Sequence, residues 1–335
     1  MSLRTPLLRV RDLTVEFKLE SGPPARALES VSFDVYPGET LGLVGESGCG
    51  KSTTLMALMR LLPVAGRIAT GQAWFEGEAG LHDLFALSDA EMRRVRWREI
   101  AIAFQSAMNA LNPVETVGDQ IREAIQLHEA VDRATSDKRV AALFDLVGIA
   151  RSRINDYPHQ FSGGMRQRAM IAMALACKPK LLFADEPTTA LDVMVQAQVL
   201  DLLKRVQREL GLGVVLVTHD LGVVAETCDR VIVLYGGRIA EAGTTDSVFN
   251  RAQHPYTQRL LEAFPDVALS SERLVSIPGA PPRLNALTPG CRFAPRCHKV
   301  FEPCRSEVPA FWSVPGSDPE HLAACHLLDP RSEGR

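Results

Sequence analysis

Charge of one sign is what this sequence most plainly lacks. Its 37 Lys and Arg against 40 Asp and Glu leave a formal net charge of −3, so there is no electrostatic motive for binding nucleic acid or an anionic membrane surface. Long apolar runs are missing too, none coming near the roughly 18 to 20 residues that span a bilayer. The start, "MSLRTPLLRVRDL", has no apolar core leading to a small-residue cleavage site, as a secretory leader would. These absences predict a soluble chain of the cytoplasm whose partners must be argued from sites. Its seven cysteines should then remain thiols unless they hold metal, so a disulfide framework is not expected. There is no internal repeat and no low-complexity tract.

The 335 residues, 46% of them hydrophobic, are enough for one large α/β domain and a smaller appendage. Residues 7–44 read as short alternating or apolar segments broken by "ESGPPAR" and "YPGE", an edge sheet leading into a buried strand. From Lys51 the spacing becomes helical, with Leu55, Leu58, Met59 and Leu62 on one face and Pro63 closing the run. Residues 106–178 are mostly helical by pattern. By contrast, "KLLFADEP" and "GVVLVTHD" are compact apolar strands ending in polar residues, the habit of parallel strands buried on both faces. After about Asp246 the composition shifts to Pro, Arg, His and Cys. The domains expected are 1–245, with a helical insert, and a tail over 246–335.

"GESGCGKS", Gly45 to Ser52, fits G-x-x-x-x-G-K-[ST] between an apolar strand and an amphipathic helix. Glycines let the backbone wrap closely around phosphates, and the loop amides with the positive helix end attract the anionic oxygens. Lys51 reaches the β and γ phosphates, and Ser52 offers a hydroxyl to Mg²⁺. Cys49 is most simply a small loop residue. "LLFADEP" delivers Asp185 and Glu186 side by side, one carboxylate to hold the Mg²⁺ shell and the next to orient or deprotonate water. Adjacent carboxylates are common at strand ends, and a lone His is usually a polar residue at a strand edge. Here the phosphate loop and His219, ending "VLVTHD", make them converge on the crevice where open α/β sheets bind ligands. A second paired-glycine helix start lies in "FSGGMRQR", residues 161–168. Ser162 can cap that helix, whose first amides, bared by two glycines, attract an anion. "EMRRVRWREI" reads as a solvated helix rather than a nucleic-acid patch, because its arginines lie beside acidic residues in a nearly neutral chain.

These elements together resemble the ATP-binding cassette (ABC) ATPases over roughly residues 7–245. The resemblance implies an α/β, P-loop NTPase core with an N-terminal antiparallel β subdomain, a helical insert and a cysteine-containing C-terminal extension. In the nucleotide site it implies Phe17 stacking on adenine and a phosphate loop of Gly45, Glu46, Ser47, Gly48, Cys49, Gly50, Lys51, Ser52 and Thr53. Gln105 lines the Mg²⁺ and water site, Asp185 and Glu186 form the second Walker motif, and His219 is the switch histidine. Ser162, Gly163 and Gly164 are the signature facing the γ-phosphate of ATP on an opposing subunit, and Ala190 to Asp192 the loop that meets that partner. Met165 and Phe161 stand where many members have Gln and Leu. The catalytic set implied is Glu186, His219 and Lys51.

The tail segments "HPYTQRLLEAFP", "IPGAPPRL" and "GCRFAPRC" look like those of the ATPase subunits of dipeptide and oligopeptide importers. That implies ATP hydrolysis at the cytoplasmic face of the inner membrane, as a peripheral subunit driving peptide uptake. The implied partners are two transmembrane permeases, an extracytoplasmic binding protein and a second, non-identical ATPase, with no nucleic acid. Import of nickel or modified peptides is the alternative, as is a soluble ABC ATPase of DNA repair or translation, although neither a second cassette nor a long coiled-coil insertion is seen. Cys291, Cys297, Cys304 and Cys325, spaced C-x5-C-x6-C-x20-C, are four soft ligands in a Pro-rich tail with little core of its own. The spacing suits tetrahedral zinc or a [4Fe-4S] cluster, and the short C-x2-C pairs of zinc ribbons are missing. The resemblance favours the cluster. His298 and His326 are nearby substitutes for a ligand.

Overall fold

The computed structural model of this chain describes residues 4–104, 110–189, 191–263 and 277–332. Strand β1 (Leu8–Phe17) buries Leu8 and Val10, then Leu13 and Val15. The alternation slips by one residue at Asp12, whose φ of 51° inserts an extra residue on the exposed face. β2 (Ala25–Val35) and β3 (Thr40–Val44) follow, β3 buried at every position. α1 (Lys51–Leu58) is shorter than its apolar spacing predicts. Arg60 turns left-handed, with φ 50°, while the Leu61 and Arg60 amides donate to the Met56 and Ala57 carbonyls at 2.8 and 2.9 Å. This is a helix-ending loop normally built on glycine, so the periodic face runs on past the helix.

β4 (Gly66–Gly77) and β5 (Gly80–Asp83) form an antiparallel hairpin. α2 (Asp89–Val95) starts at a capping box in which the Glu91 amide donates to Ser88 Oγ and the Ser88 amide to the Glu91 carboxylate. It buries only Met92 and Val95, as a solvated helix should, and leads to β6 (Ile100–Ala103). The helical stretch expected from the sequence consists of α3 (Val117–His128), α4 (Arg133–Leu146) and α5 (Gly163–Ala174), N-capped by Thr116, Asp132 and Ser162. Then come β7 (Leu181–Asp185), α6 (Val193–Leu210), ended by Gly211 with φ 63°, and β8 (Gly213–Val217). α7 (Leu221–Thr227), β9 (Arg230–Tyr235) and β10 (Arg238–Thr244) complete the cassette side, and α8 (Thr245–Arg251) and α9 (Pro255–Glu262) open the tail. The tail adds α10 (Glu302–Ser306), β11 (Trp312–Ser313) and β12 (Leu322–Ala323).

The chain divides into two compact units. The first comprises Met1–Arg9, Asp34–Thr40 and Trp74–Val217. Its sheet runs β8-β7-β6, all parallel, with Asp185 opposite Val217 and Ala103 opposite Ala184. β7 and β8 are buried at every position, which is why their sequences are continuous apolar runs instead of alternating ones. Ile121, Phe144, Phe161, Ile171 and Val199 belong to the core that packs the helices of this unit.

The second unit comprises Val10–Phe33, Leu41–Ala73 and Thr218–Arg335. Here β3 pairs in parallel with β9, and β10, β12 and β11 continue antiparallel from it. The tail joins the unit through β12, with Glu241 opposite Ala323. Glu241 is wholly buried and its carboxylate accepts from the Gln253 amide (2.7 Å), the His254 amide (3.0 Å) and His321 Nε2 (2.8 Å). A buried carboxylate is tolerable only when its lone pairs are filled in this way.

Candidate active site

In the second unit, residues 45–52 carry the chain from β3 into α1 through three left-handed glycines, Gly45 (φ 143°), Gly48 (φ 78°) and Gly50 (φ 109°). A Cβ at Gly45 would lie 2.2 Å from the Leu234 carbonyl oxygen, and one at Gly50 would lie 2.8 Å from that of Ala27, whereas at Gly48 nothing stands within 4 Å. The first two glycines are therefore required by both conformation and space, the third by conformation alone. α1 begins at Gly50 with no side-chain cap, so its leading amides keep their positive end for an anion. Lys51 is 6% exposed, and its ammonium donates to the Gly45 oxygen at 2.7 Å and the Glu46 oxygen at 3.2 Å, holding it over the loop. Ser47, Gly48 and Ser52 are exposed, Thr53 is half-buried and Cys49 is buried, with its thiol pushed up by burial against the lowering effect of Lys51.

Phe17, at the end of β1, is half-buried and lies against Gly66, where a Cβ would come within 2.9 Å of its ring. His219 is exposed, one residue before Asp220, whose carboxylate caps α7 through the Gly222 (2.9 Å) and Val223 (3.2 Å) amides.

Two further contacts on this loop had no local signal in the sequence. The Glu46 amide donates to Tyr256 Oη at 2.9 Å, and the Glu46 carboxylate accepts two hydrogen bonds from Arg296, at 2.6 and 3.0 Å. Both partners lie within tail motifs, "HPYTQ" and "RFAPRC", but neither motif indicates what it touches.

In the first unit, Asp185 ends β7 and is 7% exposed. Glu186 follows with φ 45°, a costly backbone state for a glutamate that persists only where the surroundings enforce it. Its amide donates to the Val217 oxygen at 2.8 Å, and its carboxylate accepts from Thr189 Oγ1 at 2.9 Å. The carboxylate is thereby turned off the strand and given a defined direction. Ser162 caps α5, accepting from the Met165 amide at 3.3 Å.

Beside the expectation that both signature glycines bare the helix amides, one of them also meets a packing demand. A Cβ at Gly164 would lie 2.3 Å from Val195 Cγ1 on α6, so this glycine lets two helices approach, whereas at Gly163 the nearest atom is Leu191 Cδ2 at 3.6 Å. Asp192 caps α6, accepting from the Val195 amide at 2.9 Å, and the next two residues, Val193 and Met194, are 82% and 72% exposed. Gln105 and Ala190 lie outside the described residues.

Cys291, Cys297, Cys304 and Cys325 line one small cavity of about 10 Å³, together with His254 and His326. Among the described residues no three His, Cys, Asp or Glu already stand in a metal-holding arrangement. Burial pushes the Cys291 thiol up to about 11 and that of Cys325 to about 12, and the neighbouring cysteines push both further the same way. His298 is not among the residues lining this cavity, and His326 lines it with its Nε2 bonded to the Glu307 oxygen at 2.9 Å. His254, which the sequence did not single out, lines it instead and accepts from the Tyr256 amide through Nδ1 at 3.0 Å.

A family model described as ABC transporter matches residues 28–189, and one described as the C-terminal region of oligopeptide/dipeptide transporters matches residues 240–304. The chain is 47% identical over 330 residues to the dipeptide transport ATP-binding protein DppD of Bacillus subtilis, covering 98% of this chain and 96% of that protein. It is 47% identical over 302 residues to the oligopeptide transport ATP-binding protein OppD of Haemophilus influenzae, covering 90% and 92%. Among solved structures, a dimeric post-hydrolysis state of the ATP-binding cassette MJ0796 bound to ADP and Pi superposes with a TM-score of 0.63 at 28% identity, over 71% of this chain and 98% of that one.

Proposed function

Because the chain belongs to the ABC transporter ATPases, in their oligopeptide and dipeptide branch, we propose that it hydrolyses ATP to power peptide uptake as the peripheral, cytoplasmic-face subunit of an importer. The observation that carries this reading is the glycine-built loop of residues 45–52, with Lys51 held over it at the uncapped start of α1. In that frame the cassette occupies residues 1–245 and the tail 246–335.

The site residues take the following parts in this reading. Phe17 offers a ring face to the adenine. The amides from Ser47 to Thr53, with Lys51, bind the β and γ phosphates. Ser52, Asp185 and Gln105, the last outside the described residues, would hold Mg²⁺, which would neutralise phosphate charge. Glu186, aimed by its left-handed backbone and by Thr189, orients and polarises the attacking water, and His219 holds the γ-phosphate. Ser162, Gly163 and Gly164 present the start of α5 to ATP held by a second ATPase subunit, a related but non-identical chain. Asp192 lies at that junction, where the exposed Val193 and Met194 supply apolar surface for a partner. No helix among the described residues is long and apolar enough to cross a membrane, so translocation calls for two permease subunits, served by an extracytoplasmic peptide-binding protein.

In the tail, four cysteines line one cavity, and as thiolates they are the donor set that a soft metal centre takes up. We assign Cys291, Cys297, Cys304 and Cys325 to a [4Fe-4S] cluster whose contribution is to cross-link the tail. Iron and acid-labile sulfide in protein purified without oxygen should both be found, and zinc alone, or no metal, would retire the cluster.

The hydrolysis reading is tested by Glu186→Gln. ATP binding persists, turnover falls by roughly two orders of magnitude or more, and a closed ATPase dimer accumulates when cognate subunits are supplied. Near-normal turnover in that variant would remove Glu186 from its role.

A further inference from the structure

The cysteine-bearing segments of the tail also carry one of the groups that hold the phosphate loop. Arg296 precedes Cys297, and its side chain is 5% exposed. All of its N–H donors are used: Nε bonds the Pro278 oxygen (2.8 Å), Nη1 bonds Glu46 Oε2 (2.6 Å) and Tyr235 Oη (3.2 Å), and Nη2 bonds Glu46 Oε1 (3.0 Å) and the Ile277 oxygen (3.1 Å). Arg292 follows Cys291 and bonds the Gly236 oxygen and Glu29. Gly237, next in that turn, donates its amide to the Cys49 oxygen at 2.9 Å, and Tyr256 takes the Glu46 amide. Residues 46 and 49 are thus gripped by three contacts from beyond the loop. One of the three, Arg296, sits beside Cys297, and Arg292, beside Cys291, holds the turn that carries Gly237.

We propose that Arg296 is a positioning residue for the phosphate loop, and that with Arg292 and Tyr256 it makes the four-cysteine lobe a clamp whose integrity sets nucleotide affinity. The proposal rests on residues 45–53 being the nucleotide site. A loop with three left-handed glycines has much conformational freedom to lose, and ordering it before the ligand arrives lowers the cost of binding. Arg296 has a second effect. It neutralises a carboxylate on the loop assigned to a triphosphate, through a bidentate pair with fixed geometry. Both effects act on binding and neither touches the attacking water, so loss of the clamp shows as weaker affinity with a much smaller change in kcat.

The test uses the full-length chain and measures equilibrium binding of ADP, which the loop holds without turnover, alongside ATPase rates. Arg296→Met, which leaves Glu46 an unpaired anion, should weaken ADP about tenfold, and Glu46→Gln about threefold. The double variant should match Glu46→Gln alone, because the uncompensated charge is gone. Cys297→Ser should weaken ADP in the native background and add nothing in Arg296→Met. Hydrogen exchange of residues 45–52 should quicken in each weakened variant. Glu46→Gln leaves the tail's own packing intact and keeps the test alive if Arg296→Met fails to fold. Native ADP affinity in both Arg296→Met and Glu46→Gln, or effects that simply add in the double variant, would overturn the clamp. If the unaltered protein binds ADP no better than Lys51→Ala does, the nucleotide-site reading itself has failed and takes the clamp with it.

Discussion

Two helices of this protein begin at glycine-rich motifs, and they use glycine for opposite reasons. At the start of α1, Gly45, Gly48 and Gly50 all have positive φ, and no side chain caps the helix. At the start of α5, neither Gly163 nor Gly164 has a left-handed backbone, and Ser162 caps the third helical amide. The first motif shapes the chain into a cradle and leaves its amides to a ligand. The second starts a side-chain-capped helix in which one glycine makes room for Val195 and the other keeps the helix start unobstructed. A shared spelling thus covers two distinct demands, one on torsion angles and one on free space.

The difference is sharpest at Gly45. Gly45→Ala combines backbone strain of about 1–3 kcal/mol with a Cβ 2.2 Å from the Leu234 carbonyl oxygen, and nucleotide affinity should fall by at least ~100-fold in a direct binding measurement. An alanine tolerated there would mean that the loop can reach its working shape without a left-handed residue.

Gly164→Ala ranks next. The contact with Val195 Cγ1 at 2.3 Å is overpacking, expected to cost about 1–3 kcal/mol in denaturant unfolding, and Val195→Ala in the same chain should return most of it. Failure of that rescue would remove helix packing as the reason for Gly164. The smallest effect belongs to Gly163→Ala, where the added methyl meets ordinary contact distances. Stability should be unchanged or improved by up to ~1 kcal/mol, while ATP-dependent pairing of ATPase subunits weakens if a phosphate must approach this point. Unaltered pairing would leave Gly163 without a functional reason.

Much of the nucleotide side was legible along the chain. The continuous apolar runs at 181–185 and 213–217 announced strands buried on both faces, and each motif stood at the end of the element that positions it. Less was legible where one residue overrides a pattern. The apolar spacing through Leu62 points to a longer α1, yet Arg60 ends the helix in a conformation usually left to glycine. Glu186 was readable as a carboxylate on a strand, but its φ of 45° and its bond to Thr189 were not, since residue type alone does not report a strained torsion. The four cysteines were visible by composition, and their shared cavity only by folding.

The sequence by itself determined the chemistry of the loop at 45–52, the parallel strands that deliver Asp185, and the kinship of the tail. Each of these is written in torsion preferences and apolar periods spanning a few neighbouring residues. Tertiary structure alone decided that Glu46 is held by Tyr256, 210 positions away, and by Arg296, 250 positions away, and that Gly164 answers to Val195. Contacts of that kind depend on where the packed backbone brings distant residues together, and no local pattern in the chain encodes that meeting.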